Sequence, residues 1–158
     1  MARSRAPTFD AQRDGILERA ADLFAEHGFH GASMASIAEA SGVSKPLLYH
    51  YYRDKSHLLF DIADRYMDRL LGLVEEVKGR GLGPEDSFRA LVRAFMEAYE
   101  HAQSRHRVLV QDVKFLEEDD RARIVARQRQ VVDAFAEAIA ALRPRLDRRD
   151  LRVPLAMI

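Results

Sequence analysis

One glycine, Gly42, with a cappable amphipathic run on either side, constrains this chain more than any other feature. On its N-terminal side Ser33 is placed to cap a short helix, its hydroxyl accepting from an amide of the opening turn that has no intrahelical partner. Met34, Ile37 and Ala38 then fall on one helical face, at i, i+3 and i+4. Ala38 is small where a second helix must approach closely. Gly42 follows where the chain needs a positive φ, which glycine adopts without steric cost. Val43 fills the resulting angle, and Ser44 is placed to cap the next helix. Lys45 and Pro46 occupy its first turn, where the missing proline N–H has no partner to lose. Leu48 returns to the core one turn before Tyr51 and Tyr52.

Two short helices joined by such a corner place one helix in the major groove of duplex DNA and brace it with the other. In this register Lys45, Tyr49 and His50 point away from the core. The plainer reading is a helical hairpin inside an ordinary all-α domain. It is disfavoured because the alanine, glycine, valine and capping serines coincide in one register.

These residues resemble the TetR-like family of bacterial transcriptional regulators. The likeness rests on Ile37-Ala38, on the Gly42-Val43-Ser44 turn, and on the block from Leu48 through Tyr49, His50, Tyr51, Tyr52, Arg53 and Asp54 to Lys55. That block follows the family's Leu-Tyr-x-x-aromatic-x-x-Lys pattern, with Tyr52 where phenylalanine is usual. Upstream, Ile16-Leu17 through Phe24 and the stop at Gly28 are similar to the family's first helix. The specific match spans about the first third of the chain; beyond it only the helix lengths are alike. Pro46 departs from the pattern, standing where the family often has glycine or another small residue.

The resemblance implies an all-α protein. A three-helix helix-turn-helix DNA-binding domain, residues 1–53, is joined by a long fourth helix to a C-terminal helical bundle for ligand binding and dimerisation, residues 54–158. It further implies a repressor that binds a palindromic operator as a homodimer and is released by a small hydrophobic or acyl-type effector, acyl-coenzyme A compounds included. On this reading Lys45 and His50 contact bases or phosphates. Tyr49, Ser33, Ser44 and Lys55 grip phosphates, with Pro46 and Tyr51 on the same interface. Arg3 and Arg5 add a basic arm ahead of the first acid, Asp10.

Net charge speaks mildly against a DNA binder, since 25 basic residues balance 25 acidic ones. The charges are not spread evenly. Lys45, Arg53 and Lys55 surround the second helix with only Asp54 among them, whereas acids gather at 117–120. The chain has no cysteine, so disulfides and thiolate metal sites are excluded. No run approaches the ~18 apolar residues of a membrane span, and no apolar leader opens the chain. A cytoplasmic protein without membrane partners is the expectation.

Every remaining segment has helical periodicity. A first helix runs from about residue 9 to 27, burying Ile16, Ala20, Leu23 and Phe24, with Gly28 as its stop and Phe29 folded back on Phe24. Asp54 caps a fourth helix reaching about residue 78, and Gly79, Gly81, Gly83 and Pro84 mark a joint. The next helix opens on Pro84-Glu85-Asp86 and carries Phe88, Leu91, Val92, Phe95, Met96 and Tyr99 as its apolar seam. A shorter helix spans about 105–116. A long one, capped at Asp119 or Asp120, stops near Pro144. A last helix from about 147 runs into apolar residues 155–158 with no cap, so the second domain reads as cut short at its C-terminus.

Tyr66, Phe88, Phe95, Met96, Tyr99, His106 and Phe115 are candidates to line an effector pocket between helices. Singly, each is also an ordinary core residue. Glu97 and His101 lie at i, i+4 with His106 nearby, but this spacing is far commoner among solvated helix charges than in metal sites. No cofactor is implied. No phosphate-cradling glycine loop, nucleophile elbow or catalytic carboxylate pair is present, which leaves catalysis without a site. The remaining rival is a helical protein-interaction module that does not bind DNA. Steep salt dependence on duplex DNA separates the two.

Overall fold

A computed structural model describes residues 9–143 of the chain. The described elements are α1 (Phe9–Gly31), α2 (Met34–Ala40), α3 (Lys45–Tyr51), α4 (Lys55–Gly79), α5 (Pro84–Glu100), α6 (Gln103–Gln111), a 3₁₀ turn (Val113–Phe115) and α7 (Glu118–Leu142). This is the all-α organisation expected: a three-helix helix-turn-helix, a long fourth helix and a C-terminal helical domain. Arg3, Arg5 and the helix expected from residue 147 lie outside the described residues. No described helix is long and apolar enough to cross a membrane. The chain divides into two compact units: Met1–Asp64 with Ser104–Glu118, and Arg65–Gln103 with Asp119–Ile158.

In the first unit α1 buries Ile16, Leu17, Ala20 and Phe24 along one stripe. Gly28 breaks the helix with φ 73°, and the Phe29 ring returns to within 5.6 Å of Phe24. The helix then takes one further turn beyond the expected stop, closed by the Ala32 amide donating to the Gly28 carbonyl at 3.2 Å. Ile37, Ala38, Leu48, Leu58, Leu59 and Ile62 are buried with them. Burying a leucine fully contributes about 1.5–3 kcal/mol, so Leu48 alone does much to hold the short α3 in place.

The expected helix over 105–116 is instead two elements. α6 ends at Gln111, and Asp112 begins a separate 3₁₀ turn whose Phe115 amide donates to the Asp112 carbonyl at 2.9 Å. Tertiary contacts explain the break. The buried Asp112 carboxylate lies beside the Phe29 backbone, and the Phe115 ring stacks on Phe29 at 5.4 Å and 14°. A continuous helix would carry both side chains off that surface.

The second unit packs α5 and α7 against the later turns of α4. Its core is Val74, Val77, Leu91 and Ala134, flanked by Ala90, Phe95, Phe135 and Ala138. Phe95 meets Phe135 edge to face at 4.9 Å. Arg127 of α7 pairs with Asp68 of α4. The apolar seam expected for α5 is corrected here: Val92, Met96 and Tyr99 are exposed, at 38%, 56% and 44%. α5 turns its Ala90, Leu91, Phe95 and Ala98 side inward, where Leu91 joins Val74, Val77 and Ala134 and Phe95 meets Phe135.

Candidate nucleic-acid interface

The corner of the helix pair is built from hydrogen bonds local to it. The Ser33 hydroxyl accepts the Ser36 amide at 3.0 Å, and the Ser36 hydroxyl accepts the Ser33 amide at 3.0 Å, forming a reciprocal cap. At the other end of α2, Gly42 adopts φ 65°, which lets the Val43 amide reach back to the Ala38 carbonyl at 3.0 Å. Ser44 then starts α3, its hydroxyl accepting the Leu47 amide at 3.3 Å. Capped at both starts and cornered by a left-handed glycine, the pair has little freedom to change its angle.

Its outer face is exposed. Lys45, Pro46, Tyr49 and His50 lie open to solvent on α3, with Tyr49 52% exposed, and Ser33 and Ser44 are exposed beside them. The inner face is closed by Leu48 and Tyr52, both at 0%. Of these residues, Ser44 uses its oxygen as the cap acceptor and keeps its O–H to donate outward. The Ser33 hydroxyl is engaged with Ser36.

Two residues assigned to this face by sequence have partners inside the unit. Tyr51 turns back onto α1, its hydroxyl donating to Gln12 Oε1 at 2.9 Å and its ring lying 4.7 Å from that of Phe9. The Lys55 ammonium donates to the carbonyls of Phe29 and Ala32 at 2.6 and 2.9 Å, and lies 4.7 Å from the centre of the Phe29 ring. It therefore caps the C-terminal end of α1 while leaving a positive charge near the helix pair. Arg53 pairs with Asp54 at 2.9 Å. Asp54 in turn caps α4 by accepting the His57 amide at 2.8 Å, and that bond holds its carboxyl below the usual range.

Beneath α3 lies a polar junction that joins Tyr52 to Arg13 and Asp61, neither of which was singled out by sequence. Asp61 Oδ2 accepts from Tyr52 Oη at 2.7 Å, Arg13 Nη2 at 2.8 Å and Arg13 Nε at 3.1 Å. Burial, reinforced by Asp61, pushes the Tyr52 phenol well above its ordinary range, so it remains a donor. A tyrosine where phenylalanine is usual was the available signal, because a buried hydroxyl needs a partner.

The candidate pocket residues divide between the two units. Tyr66 is buried, and Phe88 and Phe95 are half-buried, in the second unit, whereas Met96 and Tyr99 occupy the exposed side of α5. Phe115 and His106 belong to the first unit. Phe115 is engaged with Phe29 and His30, and burial draws the His106 imidazole below its usual range. His101 places Nδ1 2.7 Å from the Glu97 carbonyl oxygen.

Fold and face together define a helix-turn-helix protein of the all-α kind, with a short exposed helix braced from behind. More narrowly, the chain belongs to the TetR family. Residues 16–62 match the family described as bacterial regulatory proteins, tetR family, and residues 81–158 match a tetracyclin repressor-like C-terminal domain. A TetR-family transcriptional regulator from Bordetella parapertussis is 32% identical with TM-score 0.88, over 94% of this chain and 79% of that one. AibR, solved with isovaleryl coenzyme A and operator DNA, is 29% identical with TM-score 0.72, over 92% and 80%. Among curated relatives, the transcriptional activator FasR of Mycolicibacterium smegmatis is 28% identical over 83% of this chain and 60% of its own length. The repressor KstR2 of Rhodococcus jostii is 31% identical over 70% and 54%. The chain thus spans between half and two thirds of the length of these curated relatives.

Proposed function

We propose that this chain is a ligand-responsive transcriptional regulator, a repressor that binds a palindromic operator as a homodimer and has no catalytic activity. The observation that carries the reading is the exposed Lys45–Tyr49–His50 face on a helix whose opposite side is fully closed. Each subunit presents α3 to the major groove, with the two copies about 34–36 Å apart. Lys45 and His50 meet bases or phosphates, and Tyr49 and Ser44 hold phosphates, fixing position rather than sequence. Tyr51 and Lys55 serve from behind by anchoring α3 and the end of α1. Residues 1–53 act as the DNA-binding domain and 54–158 as the effector and dimer domain, and the protein works in the cytoplasm.

The effector is an acyl-coenzyme A or a similar lipophilic compound. Support comes from AibR, which shares the fold at 29% identity and was solved with isovaleryl coenzyme A. Effector held among the helices of residues 54–158 shifts α4, and the paired α3 helices lose their spacing. A switch from 1:99 to 99:1 requires the effector to prefer the released form by about 5.5 kcal/mol. The test is selection from random duplexes followed by gel shift with the recovered DNA. A palindrome with half-sites one helical turn apart is expected; recovery of no enriched duplex would point to the protein-interaction alternative.

A further inference from the structure

The exposed face of α3 meets its target only if the helix is held at one attitude, and α3 has just seven residues, Lys45–Tyr51. Helices this short have little stability of their own and take their orientation from what they pack against. Here the C-terminal end of α3 is tied at two adjacent residues to α1. Tyr51 reaches Gln12 and Phe9. Tyr52, the C-cap residue, reaches the Arg13–Asp61 pair.

This second tie is a three-way junction. Asp61 comes from α4, Arg13 from α1 and Tyr52 from the end of α3, and their polar atoms converge on one carboxylate oxygen, Asp61 Oδ2. Asp61 is 8% exposed and Tyr52 0%, so water offers no easy substitute for a lost partner. Apolar packing under the same helix tolerates small rotations, because dispersion contacts are individually weak and non-directional. A hydrogen bond between a phenol and a carboxylate is directional and short, and it penalises such rotations.

We propose that the Arg13–Asp61–Tyr52 junction is a positioning device that fixes the attitude of α3, so that discrimination between operator and other DNA depends on three residues that do not touch it. This rests on the DNA-binding reading above. None of the three side chains belongs to the exposed face, and the junction acts through α3 alone.

The experiment compares wild type, Tyr52→Phe and Asp61→Asn on two duplexes at 20 °C: the one wild type selects from random oligonucleotides, and a scrambled sequence of equal length. Tyr52→Phe removes one hydroxyl and keeps the ring, so it retains the core packing if Asp61→Asn fails to fold. For Tyr52→Phe the expected result is about a fivefold or larger loss on the selected duplex, the scale of one net hydrogen bond, with scrambled affinity, salt slope and helical CD signal unchanged. A lower Tm with the selected-to-scrambled ratio intact assigns the junction to stability alone and overturns the proposal. Equal losses on both duplexes overturn it too, since they signal general damage to the interface. If wild type itself selects no duplex, the DNA-binding reading fails first and the positioning role falls with it.

Discussion

Replacing Gly42 by alanine tests the corner on which the helix pair depends. At φ 65° an alanine Cβ meets the adjacent carbonyl oxygen, which costs about 1–2 kcal/mol. Beyond Gly42 and its two chain neighbours no heavy atom lies within 4 Å of a Cβ built there, so no tertiary clash is added. Alanine also narrows the unfolded ensemble, returning about 0.4–1 kcal/mol. The net is a destabilisation of about 1 kcal/mol, or about 2–4 °C in Tm for a chain of this size. Gly15 supplies the control. It lies inside α1, a Cβ there also meets nothing within 4 Å, and its φ is not positive, so Gly15→Ala stabilises by about 0.5–1 kcal/mol. The same chemical change thus has opposite signs at two open positions of one unit. Thermal unfolding followed by far-UV CD reads both. Should Gly42→Ala match or exceed wild type, or both variants shift the same way, the left-handed corner is not what sets the α2–α3 angle.

Tyr49→Ala is expected to weaken operator binding in a gel-shift titration while leaving unfolding stability within about 0.5 kcal/mol of wild type, because the side chain is exposed. Lys55→Met is expected to lower stability by about 1–3 kcal/mol, since two carbonyls at the end of α1 lose their charged donor; urea unfolding measures it. Ser44→Ala removes the α3 cap and is expected to cost about 1 kcal/mol in the same assay. His106 has its folded value drawn down by burial, so as pH falls below about 6.5 the unfolded chain gains a proton before the folded one does and stability drops. His106→Gln is expected to flatten that acid-side loss, read as urea midpoints at pH 7.5 and 5.5.

Sequence revealed most where structure is local. The caps at Ser33, Ser44 and Asp54 and the positive φ at Gly42 follow from interactions spanning three to five residues, and each is found as expected. The return of Phe29 to Phe24 is local in the same way. What escaped was tertiary. The seam of α5 could not be oriented because apolar residues occupy more of its circumference than one face, and Ala90 and Ala98 share the inner side with Leu91 and Phe95. The end of α6 is decided by Asp112 and Phe115 meeting a segment more than 80 positions earlier, which periodicity does not record. Lys55 and Tyr51 fit a DNA-facing pattern by spacing, yet α1 supplies them with partners. Arg13 and Asp61 look like ordinary helix charges until the fold brings them to Tyr52.

The central claim is that the outward side of α3 meets a polyanionic duplex, and counterion release measures it most directly. Affinity for the selected duplex, titrated across salt concentrations, is expected to fall along a steep line in log–log form. Lys45→Ala is expected to lessen that slope by about 1, the value for one phosphate neutralised. A slope near zero for wild type, or one that Lys45→Ala leaves untouched, would contradict the assignment of this face.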